Sequence, residues 1–254
     1  MSLVATDLAV TFGGVSALAG VGITLEPGTI HGVIGPNGSG KSTMFNCLTG
    51  FIRPDRGTVA LDQRDISSVA SHRRIQLGLA RTFQTPRFDP TTTVWQAVAC
   101  GFYPSSGRGL LSSLVWAPWV GRAERRTAER TDALLADFRL EDVRDATIGE
   151  LPLGRVRLVE VARAMAMSPR YLLLDEPAAG LATDEQELLA AELARLSAAG
   201  VGVLIVEHNF DMVVRMCDRI LVLDRGTILV EDTAAAVAAD PAVQRVYLGL
   251  EEVA

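Results

Sequence analysis

No stretch of this chain is apolar for long enough to cross a bilayer, which takes about 20 residues of helix. Its N-terminus, "MSLVATDLAVTFGG", shows no basic segment followed by an apolar core, so the expectation is a protein neither secreted nor membrane-spanning by itself. A basic excess is also missing. Lys plus Arg number 24 against 30 Asp plus Glu, a net charge of −6 with an isoelectric point near 5.2, where a duplex-binding surface would show as positive charge. Nucleic acid is therefore not expected as a partner. Cysteine is scarce: Cys47, Cys100 and Cys217 have neither metal-ligand spacing nor the even count of a disulfide framework, which points to a reducing compartment. Internal repeats are absent too, and the alanine-rich "TAAAVAAD" reads as a short helix rather than a linker.

What the chain has is length and apolar content, 254 residues of which 48% are hydrophobic, enough for one globular unit with a real core. Apolar segments bounded by turn residues recur as strands: "LAVTF", "VGITL", "IHGVIG", "TVALD", "LARTF", "YLLLDE", "GVLIVEH", "RILVLD" and "TILVE". Helical patterns alternate with several of them, which favours an α/β fold with a mainly parallel sheet. The opening strands lie too close together for crossovers and suggest an antiparallel piece. "TDEQELLAAELARLSAAG" is a well-marked helix, with Thr183 or Asp184 as N-cap and Gly200 as its stop. From about residue 85 to 165 the pattern is helical or irregular and reads as an insertion in the α/β core.

"GPNGSGKST", comprising Gly35, Pro36, Asn37, Gly38, Ser39, Gly40, Lys41, Ser42 and Thr43, fits G-x-x-x-x-G-K-S/T between the strand "HGVI" and the helical "TMFNCLTG". Glycines let the backbone wrap phosphate oxygens and aim N–H groups and a helix N-terminus at them. Lys41 adds a charge for the β and γ phosphates, and Ser42 is placed to put its hydroxyl on Mg²⁺. The plain alternative, a glycine-rich turn with an incidental lysine, is disfavoured by the strand and helix on either side. A phosphate loop fixes the ligand class and not the task.

"YLLLDEP" ends a strand in two carboxylates at the edge where open α/β sheets bind ligands. A division of labour suits them, with Asp175 holding Mg²⁺ and Glu176 orienting and deprotonating the attacking water; two solvated acids near a helix start are the structural alternative. His208, in "LIVEHN", ends another strand and would be an ordinary surface or core histidine but for its company. Gln84, in "RTFQ", stands where the chain leaves the core for the insertion, a place from which an amide reaches metal or water.

Residues 35–43, Gln84, "LPLGR", "YLLLDEP" and "LIVEHN" occur in the order and rough spacing of ATP-binding-cassette ATPases, and the chain resembles that family over essentially its whole length. The resemblance implies a P-loop NTPase fold with an N-terminal antiparallel β subdomain and an inserted helical subdomain. Its implied division is residues 1–84 and 166–231 as ATP-binding core, 85–165 as helical subdomain with the signature, and 232–254 as a helical tail. By the same resemblance Phe12 stacks on adenine, Gln84 is the Q-loop residue and a metal contact, Glu176 is the catalytic base and His208 the switch histidine. ATP and Mg²⁺ are the implied cofactors. "RTFQ", the long insertion, "LDEPAAGL" and "DPAVQRVYLG" look like the branched-chain or hydrophobic amino-acid importers; urea importers and the lipopolysaccharide-export ATPase are similar in the same places. Such a subunit sits on the cytoplasmic face of the cell membrane, pairs with a second ATPase subunit and drives integral-membrane permeases, the substrate being contacted only by other subunits. Phe102, Tyr103, Trp116 and Trp119 in the insertion are candidate permease contacts; the plain alternative, strongest for Trp116, is that such rings fill the helical subdomain's own core. Rivals of other classes are a soluble cassette ATPase of repair or translation and a nucleotide sensor that does not hydrolyse.

In the family the signature is usually L-S-G-G-Q and closes on the ATP held by the other subunit. Leu151 and Gly154 match. Pro152 removes a hydroxyl and a backbone N–H, Leu153 brings a side chain where glycine allows close approach, and Arg155 puts a charge in place of glutamine. "AGLA" likewise lacks the usual serine and aspartate of the D-loop. One reading is a heterodimer whose other ATPase subunit carries the fuller signature; the other is that these substitutions are tolerated and both composite sites are adequate.

Overall fold

The computed structural model describes residues 1–84, 86–103 and 118–248. The chain opens with β1 (Leu3–Phe12) and β2 (Val15–Leu25), then β3 (Ile30–Ile34), α1 (Lys41–Thr49), β4 (Arg56–Leu61), β5 (Arg64–Asp65), α2 (Ser71–Gln76) and β6 (Leu79–Arg81). Helices follow: α3 (Val94–Ala99), α4 (Pro118–Asp137) and α5 (Leu153–Ala166). The last part alternates, as β7 (Tyr171–Asp175), α6 (Thr183–Ala198), β8 (Gly202–Val206), α7 (Phe210–Met216), β9 (Arg219–Asp224), β10 (Thr227–Thr233), α8 (Ala234–Ala239) and α9 (Pro241–Leu248).

The opening strands build an antiparallel sheet in the order β2-β1-β4-β5. In β1 the inward set is Leu3 and Ala5, then Leu8 and Val10, a change of parity that an unbroken strand forbids. Asp7, at φ 52°, sits in the register shift that permits it. The second sheet runs β10-β9-β3-β8-β7-β6. Its pairs β3–β8, β3–β9, β7–β8 and β6–β7 are parallel, and β10 alone runs antiparallel to its neighbour.

β3, β7 and β8 are buried along their whole length, as near-continuous apolar runs covered on both faces must be. Alternate residues serve two cores. Ile34, Leu172, Leu174 and Ile205 pack with Leu158 of α5 and with Leu189 and Leu193 of α6. Val33, Leu173, Leu204 and Val206 pack with Met44, Phe45 and Leu48 of α1 and with Leu3 and Leu18 of the antiparallel sheet.

Because β3, β8, β7 and β6 are parallel neighbours, the residues just beyond them emerge at one edge. The expected strand "LARTF" is shorter than the pattern suggested, since pairing with β7 ends at Arg81; Phe83 and Gln84 lie in the crossing segment beyond it. The start of α6 also needs correction: its N-cap is Ala182, not Thr183 or Asp184, and the orphan Ala182 N–H is taken by Glu185 Oε2 at 2.9 Å. The end is as expected, with Gly200 at φ 91° closing the helix through Gly200 N–H to Ser197 O and Val201 N–H to Leu196 O.

Candidate functional site

Residues 35–43 fold as a turn between β3 and α1, and the glycines there answer to contacts. A Cβ on Gly35 would stand 2.2 Å from Leu223 O and 2.5 Å from Ser39 Oγ, and one on Gly40, at φ 104°, 2.6 Å from Ala17 O. Any side chain would push the loop off the β2 and β9 backbones it rests on. Gly40 is also the N-cap of α1 and offers no side-chain cap, so the first-turn N–H groups have neither intrahelical nor capping partners. Lys41 is buried and turns back on its own loop, Nζ donating to Gly35 O at 2.6 Å and Pro36 O at 3.0 Å. Ser39 Oγ is buried without a hydrogen-bond partner among the described residues. An uncapped helix start, a lysine turned onto its own loop's carbonyls and a hydroxyl without a partner among the described residues together fit an anionic oxygen-rich ligand such as a polyphosphate.

Asp175 is the last residue of β7, 7% exposed, and its backbone N–H donates to Thr82 Oγ1 at 3.1 Å. Burial raises its pKa to about 6, against the pull of the Arg81 guanidinium and with the Glu176 carboxylate reinforcing the rise. Asp175 and Ser42 both offer oxygen, the donor type that a hard cation such as Mg²⁺ takes, and would be the residues to hold one. Glu176 follows at φ 48°, in the left-handed region, its N–H on Val206 O at 2.8 Å. Strand alternation stops there, and the half-buried carboxyl is set by this turn. Both acids lie close enough to act on Lys41: burial lowers that ammonium's pKa, and Glu176, then Asp175, oppose the fall.

His208 is exposed just past β8, with Nδ1 3.6 Å from Glu207 Oε2. Glu207 was not anticipated as a site residue. It is 1% exposed, accepts the Ala178 N–H at 3.0 Å and the His208 N–H at 3.2 Å, and burial raises its pKa. It ties the turn after β7 to the turn after β8; an acid ending an apolar strand in "LIVEHN" was its only signal in the sequence.

The other expected residues fall as follows. Phe12 ends β1 half exposed, and Gln84 is exposed beyond β6. Leu151 precedes α5, whose N-cap is Pro152 with no side-chain bond, and Leu153 is 57% exposed on its first turn. Gly154 sits against Gly180 O and Glu185, at 2.8 and 2.9 Å from a would-be Cβ. The guanidinium of Arg155 is engaged within the chain, donating at 2.9 Å to Arg139 O and to Asp142 Oδ1, with Glu185 at 3.7 Å. Of the insertion aromatics, Phe102 is 6% exposed and belongs to the core, correcting its expected place at an interface; Tyr103 is 72% exposed. Trp116 and the side chain of Trp119 lie outside the described residues.

The sequence model described as "ABC transporter" matches residues 18–179. The chain is 36% identical over 245 residues to the high-affinity branched-chain amino acid transport ATP-binding protein BraF of Pseudomonas aeruginosa, covering 96% of each. Against the lipopolysaccharide export system ATP-binding protein LptB of Acidithiobacillus ferridurans the identity is also 36%, over 90% of this chain and 89% of the relative. Among solved structures, the ADP conformation of MJ1267, an ATP-binding cassette of an ABC transporter, superposes with a TM-score of 0.83 at 33% identity, covering 98% of this chain and 99% of that one.

Proposed function

Since the chain belongs to the ABC transporter family of ATP-binding cassettes, we propose that it powers an importer of branched-chain or other hydrophobic amino acids by hydrolysing ATP at the cytoplasmic face of the membrane. The observation that carries the hydrolytic half is the meeting of Lys41, Asp175 and Glu176 around one cradle. In this reading residues 35–43 hold the phosphates, Phe12 takes the adenine, and Glu176 accepts the proton of the attacking water while His208 and Gln84 attend the terminal phosphate. Ser42, Asp175 and Gln84 would hold Mg²⁺, which when bound offsets phosphate charge. None of the relatives' substrates is met by this subunit.

Residues 85–165 act as the arm that carries the signature to a second ATPase subunit, a different chain with a fuller signature. Leu151 and Gly154 keep the family's pattern there, and Arg155 reaches the neighbour's nucleotide by leaving Asp142 and Arg139 O. The permease contact is assigned to the groove of about 340 Å³ lined by Phe51, Ile75, Arg81, Phe83, Arg163 and Met167. Phe51 is 54% exposed and stacks edge-on against Phe83 at 5.9 Å, an aromatic surface suited to an interface.

The test is reconstitution of the chain with its co-purifying permeases in proteoliposomes. ATP-dependent uptake of leucine or valine is expected. Transport of urea, or extraction of lipopolysaccharide, with no leucine uptake would move the chain to the neighbouring branch; purification without any permease would favour a soluble cassette ATPase.

A further inference from the structure

Arg157 and Glu160 stand one turn apart on α5, exposed by only 6% and 1%. Burying a guanidinium and a carboxylate is expensive unless their hydrogen bonds are met; here the bonds that are made go to backbone, while Arg157 Nε has no hydrogen-bond partner among the described residues. Glu160 Oε1 accepts the Phe83 N–H at 2.8 Å; Arg157 donates from Nη1 to Phe83 O at 2.9 Å and from Nη2 to Gln84 O. Two residues past the end of β6, where no ladder partner continues, both polar groups of Phe83 and the carbonyl of Gln84 are therefore held by side chains of α5. Arg163, 3.8 Å from Glu160, lies over the Phe88 ring at 4.4 Å and holds the same segment further along.

The core has its own grip on the opposite side. The Arg81 guanidinium covers the Phe83 ring at 4.4 Å, and those of Phe45 and Phe51 at 4.8 and 4.5 Å. It also donates to Asn46 Oδ1 at 3.1 Å and Thr49 Oγ1 at 2.8 Å, both on α1. Phe83 is thus held by its ring to the helix that follows the phosphate cradle and by its backbone to the helix that begins at the signature. Gln84 hangs between them with its side chain exposed.

We propose that Arg157 and Glu160 are positioning residues for turnover: they fix the backbone of residues 83 and 84 to α5 and so set where the Gln84 amide stands at the nucleotide site. The proposal rests on the reading of Gln84 as a residue that reaches metal or attacking water, and adds which groups set its place. Arginine is required because its planar fork meets two successive carbonyls at once, where a lysine ammonium holds one.

The test uses the full-length chain and compares Arg157→Met, Gln84→Ala and the double variant. Arg157→Met, which keeps the stem and loses the fork, is expected to lower kcat about tenfold or more with little change in KM for ATP, as misplacement of a reacting group does. The double variant should turn over no more slowly than Gln84→Ala, because Arg157 acts through Gln84. Losses that multiply, or a rise in KM with kcat intact, would overturn the proposal. Amide hydrogen exchange supplies a readout independent of activity: in Glu160→Ala the Phe83 amide should exchange about tenfold faster or more, with β7 unchanged. If the alanine variant does not fold, Glu160→Gln, which keeps an acceptor and loses the charge, should show the same change in smaller measure. Unaltered Phe83 protection would defeat the clamp even in a chain that turns over no ATP, a result that separately would defeat the functional reading.

Discussion

Asp175 sets burial against chemistry. Its folded pKa of about 6 lies above the roughly 3.9 of an unfolded aspartate, so between those values the native state holds a proton that the unfolded chain has released. Its contribution to stability is complete below pH about 4 and is lost as pH rises through 6, a cost on the order of 3 kcal/mol at neutrality. Denaturation of the nucleotide-free protein should therefore show Asp175→Asn more stable than the wild type at pH 7.5, with the gap closing toward pH 4; an equal gap at both would contradict this. Lys41 offers a second check, being the only lysine in the sequence. Amine-directed acetylation of the folded chain should modify one ε-amine and be slowed by ATP, as mass spectrometry of the peptide would show. The motif letters of this site were legible because they are local: a strand, nine letters and a helix. Thr82 and Arg81 were not, because each acts on Asp175 of another strand, nor was the hold of Glu207 on Ala178 in the turn after β7, because nothing near these residues in sequence signals the partner.

Among the elements, α1 depends on a residue far from it. Arg74 is wholly buried and donates to Cys47 O and Leu48 O at 2.9 and 2.6 Å, in the last turn of α1, and to Val69 O and Ile66 O at 2.8 and 2.7 Å. Arg74→Ala leaves these carbonyls buried without donors and should cost about 3 kcal/mol or more in chemical denaturation; a loss under about 1 kcal/mol would show that water replaces it. At the other end of the site, α5 starts at Pro152 without a side-chain cap. Pro152→Ser with Leu153→Gly adds a cap and removes an exposed apolar group, and in the intact assembly it should raise ATP turnover at the site this chain completes; two equal sites beforehand and no gain would remove the case for unequal subunits. The helices and strands were legible by periodicity, but the boundary of α6 was misread: Ala182 is the cap because Glu185 reaches back from the third helical position, while Thr183 and Asp184 look like better caps by letter alone. Buried Arg74, Arg157 and Glu160 were invisible, since charge in an amphipathic pattern reads as solvent-facing until a distant backbone claims it.

At the scale of the whole molecule, strand order explains why a one-dimensional set of motifs becomes one site. β3, β8, β7 and β6 are adjacent and parallel, so the cradle, His208, the acid pair and Gln84 emerge side by side although up to 173 positions separate Gly35 from His208. Mainly parallel order and an antiparallel opening were legible from spacing; the pairing order was not, because every buried strand carries the same apolar run. The claim on which the rest depends is that the cradle binds ATP and Glu176 drives its hydrolysis. The most direct test is phosphate release by the full-length protein and by Glu176→Gln, with ATP affinity measured for both. The account predicts unchanged affinity and release slowed by about a hundredfold or more in the variant; equal rates, or a wild-type chain that binds no ATP, would contradict it.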